Sequence, residues 1–360
     1  MESEINVVVL FGGRSGEHDV SCSSAAYIID TLNRCDRYRV LPVGITREGR
    51  WYAYSGPAEA LRHGVWFDQG PVVPATLVPD RGKPFLFTNR EGRTVSYSAD
   101  CVFPVLHGPN GEDGTIQGML EMADIPFVGC GMAASALAMD KCFANTIFEK
   151  KDLPHTPWRS LDRAGWQGSD DRSIDQLIEG LDFPLFVKPA RGGSSLGISR
   201  VQSREDLPAA LDHALAYDRK VLIEQGVQGR ELEIAAVGGY GEPELSPIGE
   251  VIPDREFYDY DSKYEVHSTT QLVVPAPVDP LIAEQVRRIA KEAWQTIDCY
   301  GMARIDFFLD HDQRLYLNEI NTIPGFVSIS MYPRLFRAAG YEDGELLEKL
   351  IRLAMQREDK

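Results

Sequence analysis

The chain has 360 residues, of which 43% are hydrophobic and 25% charged, an ordinary globular composition with length enough for two or three domains. Lys and Arg number 37 against 54 Asp and Glu, and the formal charge of −17 argues against a nucleic-acid partner, whose binding rests on phosphate neutralisation. No run approaches the ~18 uninterrupted apolar residues of a membrane helix, and the start, with Glu2 and Glu4, lacks the basic opening of a signal peptide, so no membrane partner is expected.

Residues 5–11 form an apolar, β-rich run, followed by Gly12-Gly13-Arg14-Ser15-Gly16 and a helix expected over about 21–32. Strand, glycine loop and helix in that order predict an α/β unit with a parallel sheet, where polar ligands gather beyond the strand C-termini. Residues 39–45 read as a second strand. The stretch 70–93 is rich in proline, glycine and turn residues and is expected to be an insertion or hairpin outside the central sheet. Residues 101–106 are a buried-strand pattern ending at His107-Gly108.

A new unit is expected to start near Gly131. Asp140 can cap a helix carrying Lys141, Phe143, Ile147 and Phe148, and Pro154 ends it. Residues 186–189 are a short strand feeding the small-residue loop 192–197, and 198–201 returns as a strand. Residues 221–224 and 231–237 continue the β pattern. Asp279-Pro280 supplies a cap and a first-turn proline for an amphipathic helix to about Ile297. The six cysteines are scattered without a Cys-x-x-Cys pair, which argues against a zinc site or disulfide framework and suits the cytoplasm.

The most informative stretches come near the C-terminus: Arg304-Ile305-Asp306 and Asn318-Glu319-Ile320-Asn321. Each lies in a strand-like run, 302–309 and 315–320, with polar, turn-like residues 310–314 between them. A hairpin centred between Asp312 and Gln313 sets Asp306 opposite Glu319 and Arg304 opposite Asn321. Side chains alternate along a strand, so all four project from one face. Opposed like charges destabilise a sheet unless something positive sits between them, and such hard oxygens suit magnesium, which takes one or two carboxylates plus substrate phosphates. The plainer reading is a solvated hairpin with a salt-bridged arginine.

Loop 192–197 lets backbone N–H groups approach phosphate oxygens, with Lys188 just before it to neutralise charge; the alternative is a flexible hairpin tip. The Gly-x-x-x-x-Gly-Lys-Ser/Thr pattern is absent, and Gly12-Gly13-x-x-Gly16 is not Gly-x-Gly-x-x-Gly, so a nicotinamide-dependent oxidoreductase has weak support. Glu224 and Glu231 flank a connector and can accept hydrogen bonds from an adenine amine or ribose hydroxyls, or can be ordinary strand-end charges. Three further strings stand out: 12–18, 107–114 and 257–264.

In this order the pieces resemble the D-alanine–D-alanine ligases of the ATP-grasp superfamily, over about residues 7–335. The resemblance implies an α/β, ATP-grasp fold: an N-terminal doubly wound parallel α/β domain (1–130), then two α+β subdomains (131–226 and 227–360) that sandwich ATP. It implies that Lys141 and Lys188 touch the α- and β-phosphates, that Ser194, Ser195 and their loop close over them, and that Lys263 reaches the γ-phosphate. Glu224 and the backbone near Val227 would hold adenine, and Glu231 the ribose. Asp306, Glu319 and Asn321 would bind two Mg2+ ions, with Mn2+ as a substitute.

The implied chemistry is attack of one D-alanine carboxylate on the γ-phosphate, then displacement of phosphate by a second D-alanine amine. Glu17 would bind the first ammonium, Ser194 and Tyr264 would order the lid, and His107 would lie near the first carboxylate. Arg304 and the Gly325 N–H would stabilise the oxyanion, and Ser330 and the Met331 N–H would receive the second carboxylate. No residue is assigned as base for the second amine. The Lys263-Tyr264 pattern favours D-alanine over D-lactate as acceptor; Val327 and Gly193 depart from common family residues. A ligase for another amino or hydroxy acid, and an ATP-binding protein without catalysis, are the rival readings. Relatives suggest a homodimer.

Overall fold

The computed structural model describes residues 4–79, 85–88, 92–167, 171–194, 196–253 and 270–357. Ser195, Lys263 and Tyr264, expected at the site, lie outside them. Among the described residues, 16 strands form three sheets, and the six cysteines are free thiols.

The first sheet contains β1 (Ile5–Gly12), β2 (Tyr38–Ile45), β3 (Trp51–Tyr54), β4 (Val72–Leu77), β5 (Phe85–Thr88), β6 (Thr94–Tyr97) and β7 (Cys101–Pro104), in the order β6-β5-β4-β3-β2-β1-β7. β1 pairs in parallel with β2 and β7. It is apolar on both sides because both faces are covered. Val7, Val9 and Phe11 pack with helix His18–Leu32, and Val8 and Leu10 with helix Thr115–Met122. Segment 70–93 departs from expectation. β4, β5 and β6 join the same sheet as an antiparallel extension beyond β3. Gly70 and Pro71 precede β4 and Pro74 lies within it, so these residues do not exclude a strand.

The second sheet, β8 (Trp158–Asp162), β9 (Leu185–Pro189), β10 (Ser199–Val201) and β11 (Lys220–Gln225), is antiparallel in the order β10-β9-β11-β8. Leu185, Val187, Val221 and Ile223 bury one face against helix Leu207–Tyr217. Alternation therefore turns Lys188 and Glu224 to the other face. Asp140 caps helix Lys141–Lys150, its carboxylate accepting from Cys142 N and Phe143 N at 3.2 Å.

The third sheet is β14-β13-β12-β15-β16, built from β12 (Gly229–Gly238), β13 (Glu244–Ile252), β14 (Gln271–Val273), β15 (Gly301–Asp310) and β16 (Leu315–Asn321), all antiparallel. Helix Pro280–Ile297 covers one face with Ile282, Val286, Ile289, Ala293 and Trp294, a 3.6-residue stripe. The other face is divided along its length. Ala235, Val237 and Met302 join the core around helix His18–Leu32. The same side of the strands then continues into Glu233, Arg304 and Asp306.

The β15–β16 register contains a bulge. Leu309 pairs with Leu315 and Phe307 with Leu317, but Asp306 pairs with Glu319 and Arg304 with Asn321. Asn318 is the extra residue. A uniform hairpin centred between Asp312 and Gln313 pairs the acids correctly but misplaces the pairs nearer the turn. The reason is packing. Leu315, Leu317 and Ile320 all enter the core under helix Pro280–Ile297, and only a slip between 317 and 320 permits that.

Candidate active site

β15 and β16 bring four polar side chains together. Arg304 donates from Nε to Asp306 Oδ1 at 2.8 Å and from Nη2 to Oδ2 at 2.7 Å, a bidentate fork. Asn321 Nδ2 donates to Asp306 Oδ2 at 2.9 Å and to Glu319 Oε1 at 3.5 Å. Asp306 is 8% exposed. Burial alone would depress the Arg304 pKa, yet Asp306, then Glu233 and Glu319, raise it well above its ordinary value. The guanidinium is a fixed cation.

Lys141 connects this face to the small-residue loop. As the first residue of its helix, it reaches Gly192 O at 2.9 Å and stands 3.4 Å from Glu319 Oε2. One ammonium thus lies between the backbone of the loop after β9 and a carboxylate of β16. Lys188, on β9, forms a buried ion pair with Glu224 on β11, and Thr156 Oγ1 donates to Glu224 at 3.4 Å. Val227 follows in the half-buried connector to β12, and Glu231 lies on β12 two residues before Glu233. Lys188, expected at the phosphates, and Glu224, expected at adenine, are thus paired with each other across β9 and β11.

The N-terminal unit closes the other side. Ser194, at φ +48°, donates its hydroxyl to Glu17, which immediately precedes helix His18–Leu32. The Glu17 carboxylate lies against the loop: a Cβ on Gly193 would fall 2.7 Å from its Oε2. Ser15 Oγ donates to His107 O at 2.7 Å and accepts from Glu17 N at 3.2 Å.

His107 is more constrained than expected. Its Nδ1 is 3.0 Å from Ile323 O, which can only accept, so Nδ1 carries the proton. Ser24 Oγ accepts from Phe326 N at 3.2 Å and lies 3.3 Å from His107 Nε2, so its own proton is available to that nitrogen. Burial lowers the His107 pKa, against the opposing charge of Glu17, and keeps the ring neutral. Both ring nitrogens are engaged within the protein, and a carboxylate must displace a partner to bind there.

Gly325 lies in the turn that Ser24 and His107 tether. A Cβ at Gly325 would approach Ser330 Oγ to 3.1 Å, so glycine allows that hydroxyl to close on the backbone. Ser330 Oγ accepts from Val327 N at 3.1 Å and precedes helix Met331–Ala338, whose first N–H belongs to Met331. The Met331 side chain is buried, leaving its backbone as the group offered to a ligand.

The metal expectation can be tested on the donor set. Two carboxylates converge, which suits a hard cation that keeps waters and phosphate oxygens, and Asn321, whose amide nitrogen faces both acids, would have to turn its oxygen inward to join them. Among the described residues no group of three or more His, Cys, Asp or Glu is arranged to hold a metal by itself. A divalent ion here requires ligands from the substrate, as nucleotide-borne magnesium does.

Three residues escaped the sequence reading. Glu233 on β12 stands opposite Asp306, with Oε2 3.0 Å from Arg304 Nε; its signal was the Glu-x-Glu spacing with Glu231. Ser24 had none, because its partners are 83 and 302 residues away. Glu112 lies in the string 107–114 and accepts from Gly108 N at 2.7 Å. Burial, assisted by Glu17, pushes its carboxyl up to about 8.

A family model described as D-ala D-ala ligase N-terminus matches residues 6–130, and one described as D-ala D-ala ligase C-terminus matches 147–352. The chain is 46% identical over 351 residues to a D-alanine–D-alanine ligase of Thermoanaerobacter sp., covering 97% of this chain and 96% of that protein. It is 43% identical over 371 residues to the D-alanine–D-alanine ligase of Acetivibrio thermocellus, covering 99% and 97%. Among solved structures, VanG D-Ala:D-Ser ligase from Enterococcus faecalis superposes with a TM-score of 0.86 at 34% identity, covering 98% of this chain and 100% of that one. The D-alanine–D-alanine ligase from Coxiella burnetii gives 0.82 at 33%, covering 99% and 95%.

Proposed function

The chain belongs to the D-alanine–D-alanine ligase family, and from that premise we infer that it condenses two D-alanines with ATP to supply a peptidoglycan precursor. The fold is ATP-grasp. The observation that carries the reading is Lys141. Its ammonium joins the loop at Gly192 to the carboxylate of Glu319, so cations, loop amides and acids converge where a triphosphate tail and its metal would lie.

Lys141, Lys188, Ser194 and Ser195 hold phosphates, with Lys263 toward the γ-phosphate; Glu224, Val227 and Glu231 hold adenosine. Asp306, Glu319 and Asn321 hold two magnesium ions, or manganese. Bound there, the metal screens phosphate charge and orients the γ-phosphoryl group. Glu17 binds the ammonium of the first D-alanine, beside His107, and the carboxylate of that D-alanine takes the γ-phosphoryl group from ATP, releasing ADP and forming D-alanyl phosphate. Ser330 and the Met331 N–H orient the second D-alanine, whose amine displaces phosphate while Arg304 and the Gly325 N–H stabilise the oxyanion. Ser194 and Tyr264 close the lid.

The first D-alanine belongs to unit 1–130, the nucleotide lies between units 131–226 and 227–360, and the second substrate belongs to the last unit. The working form is a cytoplasmic homodimer. No helix among the described residues is long and apolar enough to cross a membrane, which agrees with that location. The competing acceptor is D-serine, because VanG D-Ala:D-Ser ligase is 34% identical. Mass spectrometry of products from ATP, magnesium and D-alanine, with D-serine and D-lactate as rival acceptors, tests the reading. D-alanyl-D-alanine with ADP and phosphate is expected; a mixed product in preference, or none, overturns it.

A further inference from the structure

We propose that Glu233 is a positioning residue that holds Arg304 on the oxyanion once Asp306 turns to a divalent cation. The inference rests on the oxyanion role given to Arg304 above. Glu233 stands directly opposite Asp306 across β12 and β15, and Asp306 stands opposite Glu319 across β15 and β16. Three carboxylates thus cross three neighbouring strands on one face, an arrangement that like-charge repulsion disfavours. Arg304 relieves it: Nε points at Asp306 Oδ1 at 2.8 Å, while Glu233 Oε2 lies 3.0 Å from the same nitrogen.

The two acids are not equivalent. Asp306 neighbours Glu319 and shares Asn321 with it, so a cation there draws on Asp306 oxygens and repels the guanidinium. Glu233 lies one strand further from Glu319, on the far side of β15. As Asp306 gives charge to the metal, Arg304 Nε keeps a carboxylate partner on β12, a strand paired along its whole length with β15. The Nε edge stays anchored, and Nη1, at the far edge of the fork, stays aimed away from both acids. Loss of that anchor misplaces the donor without touching nucleotide or metal, and misplacement by ~1 Å costs about 10²-fold.

The experiment pairs activity with binding. Glu233→Gln removes the charge and keeps the shape. Turnover should fall about 10- to 100-fold, with KM for ATP and the magnesium midpoint unchanged. Affinity for a tetrahedral phosphinate mimic of the dipeptide, measured by calorimetry, should fall with turnover. In an Arg304→Lys background Glu233→Gln should cost little more, because the geometry it protects is already lost. Normal turnover and mimic affinity in Glu233→Gln overturn the proposal. So does a magnesium midpoint shifted as in Glu319→Gln, which makes Glu233 a ligand. If Glu233→Gln unfolds, Glu233→Asp, whose shorter arm retreats from Nε, carries the same two readouts. Wild-type protein that makes no dipeptide defeats the functional reading alone; the position of Arg304 in crystals of wild type and Glu233→Gln grown with magnesium then decides the anchor.

Discussion

The acid face of β12, β15 and β16 and the loop closed over Glu17 meet at one site but are built differently. On the face, strand register fixes every side chain: Glu233, Asp306 and Glu319 stand in line because three backbones are paired. The loop is held by the Ser194–Glu17 hydrogen bond and by the reach of Lys141 to Gly192 O. The acids are thus placed by paired backbones, and the loop by a few side-chain contacts, which is the construction expected of the proposed lid. Substitutions on the face should therefore damage chemistry, and substitutions in the loop should damage capture.

The largest effect is expected from Arg304→Ala. In the proposed oxyanion role Arg304 is a donor used mainly at the transition state, so turnover should fall by about 10²–10³ with ATP affinity nearly intact. The substitution also leaves Glu233 and Asp306 opposed without their cation, and a lowered melting temperature should accompany the loss. Unchanged turnover would contradict the oxyanion role. Next comes Glu319→Gln, which should raise the magnesium needed for half-maximal rate by about tenfold while leaving the saturated rate less affected. Superimposable magnesium titrations would remove Glu319 from the ligand set.

Ser194→Ala tests the loop side of the contrast. A hydrogen bond to a charged group contributes ~1.5–3 kcal/mol, and a loop repays only part of that. KM for the first D-alanine should rise about tenfold with turnover falling less; a pure turnover defect would put the loop with the face.

A separate effect, on stability rather than activity, concerns pH and Glu112, which feels both Glu17 and Glu319. Its carboxyl titrates near 4.5 when unfolded and at about 8 when folded. The unfolded chain therefore sheds that proton first, and the folded state loses advantage as pH rises from about 4.5 to 8, then no further. Glu112→Gln cannot titrate, so its melting temperature should decline less than that of wild type between pH 5 and pH 8.5. Parallel profiles would show that Glu112 ionises normally.

Much of this was legible in the chain, for local reasons. Alternation along 302–309 and 315–320 aligned Asp306 with Glu319, and Asp140 and Asp279 marked their helix starts through short-range caps. Other parts were invisible because their cause lies elsewhere in the sequence. Ser24 matters through Phe326 and His107, and Glu233 through Arg304, 71 positions away by their numbers. Segment 70–93 misled because turn residues set strand length, not sheet membership. The string 257–264 cannot be compared, since it falls outside the described residues.

Asn318 has a consequence for heredity. In a plain pleat Leu315, Leu317, Glu319 and Asn321 would share one side, and oil and acid would compete for the same environment. The supernumerary residue lets one seven-residue ribbon serve both. Here the count of codons matters as much as their meaning. Loss of the Asn318 triplet would make Leu317 and Glu319 neighbours in a plain pleat, each keeping its side, whereas loss of the Ile320 triplet would set Glu319 beside Asn321 and turn one of them into the greasy interior. Single deletions from Leu317 to Asn321 should show Asn318 as the position that tolerates loss best.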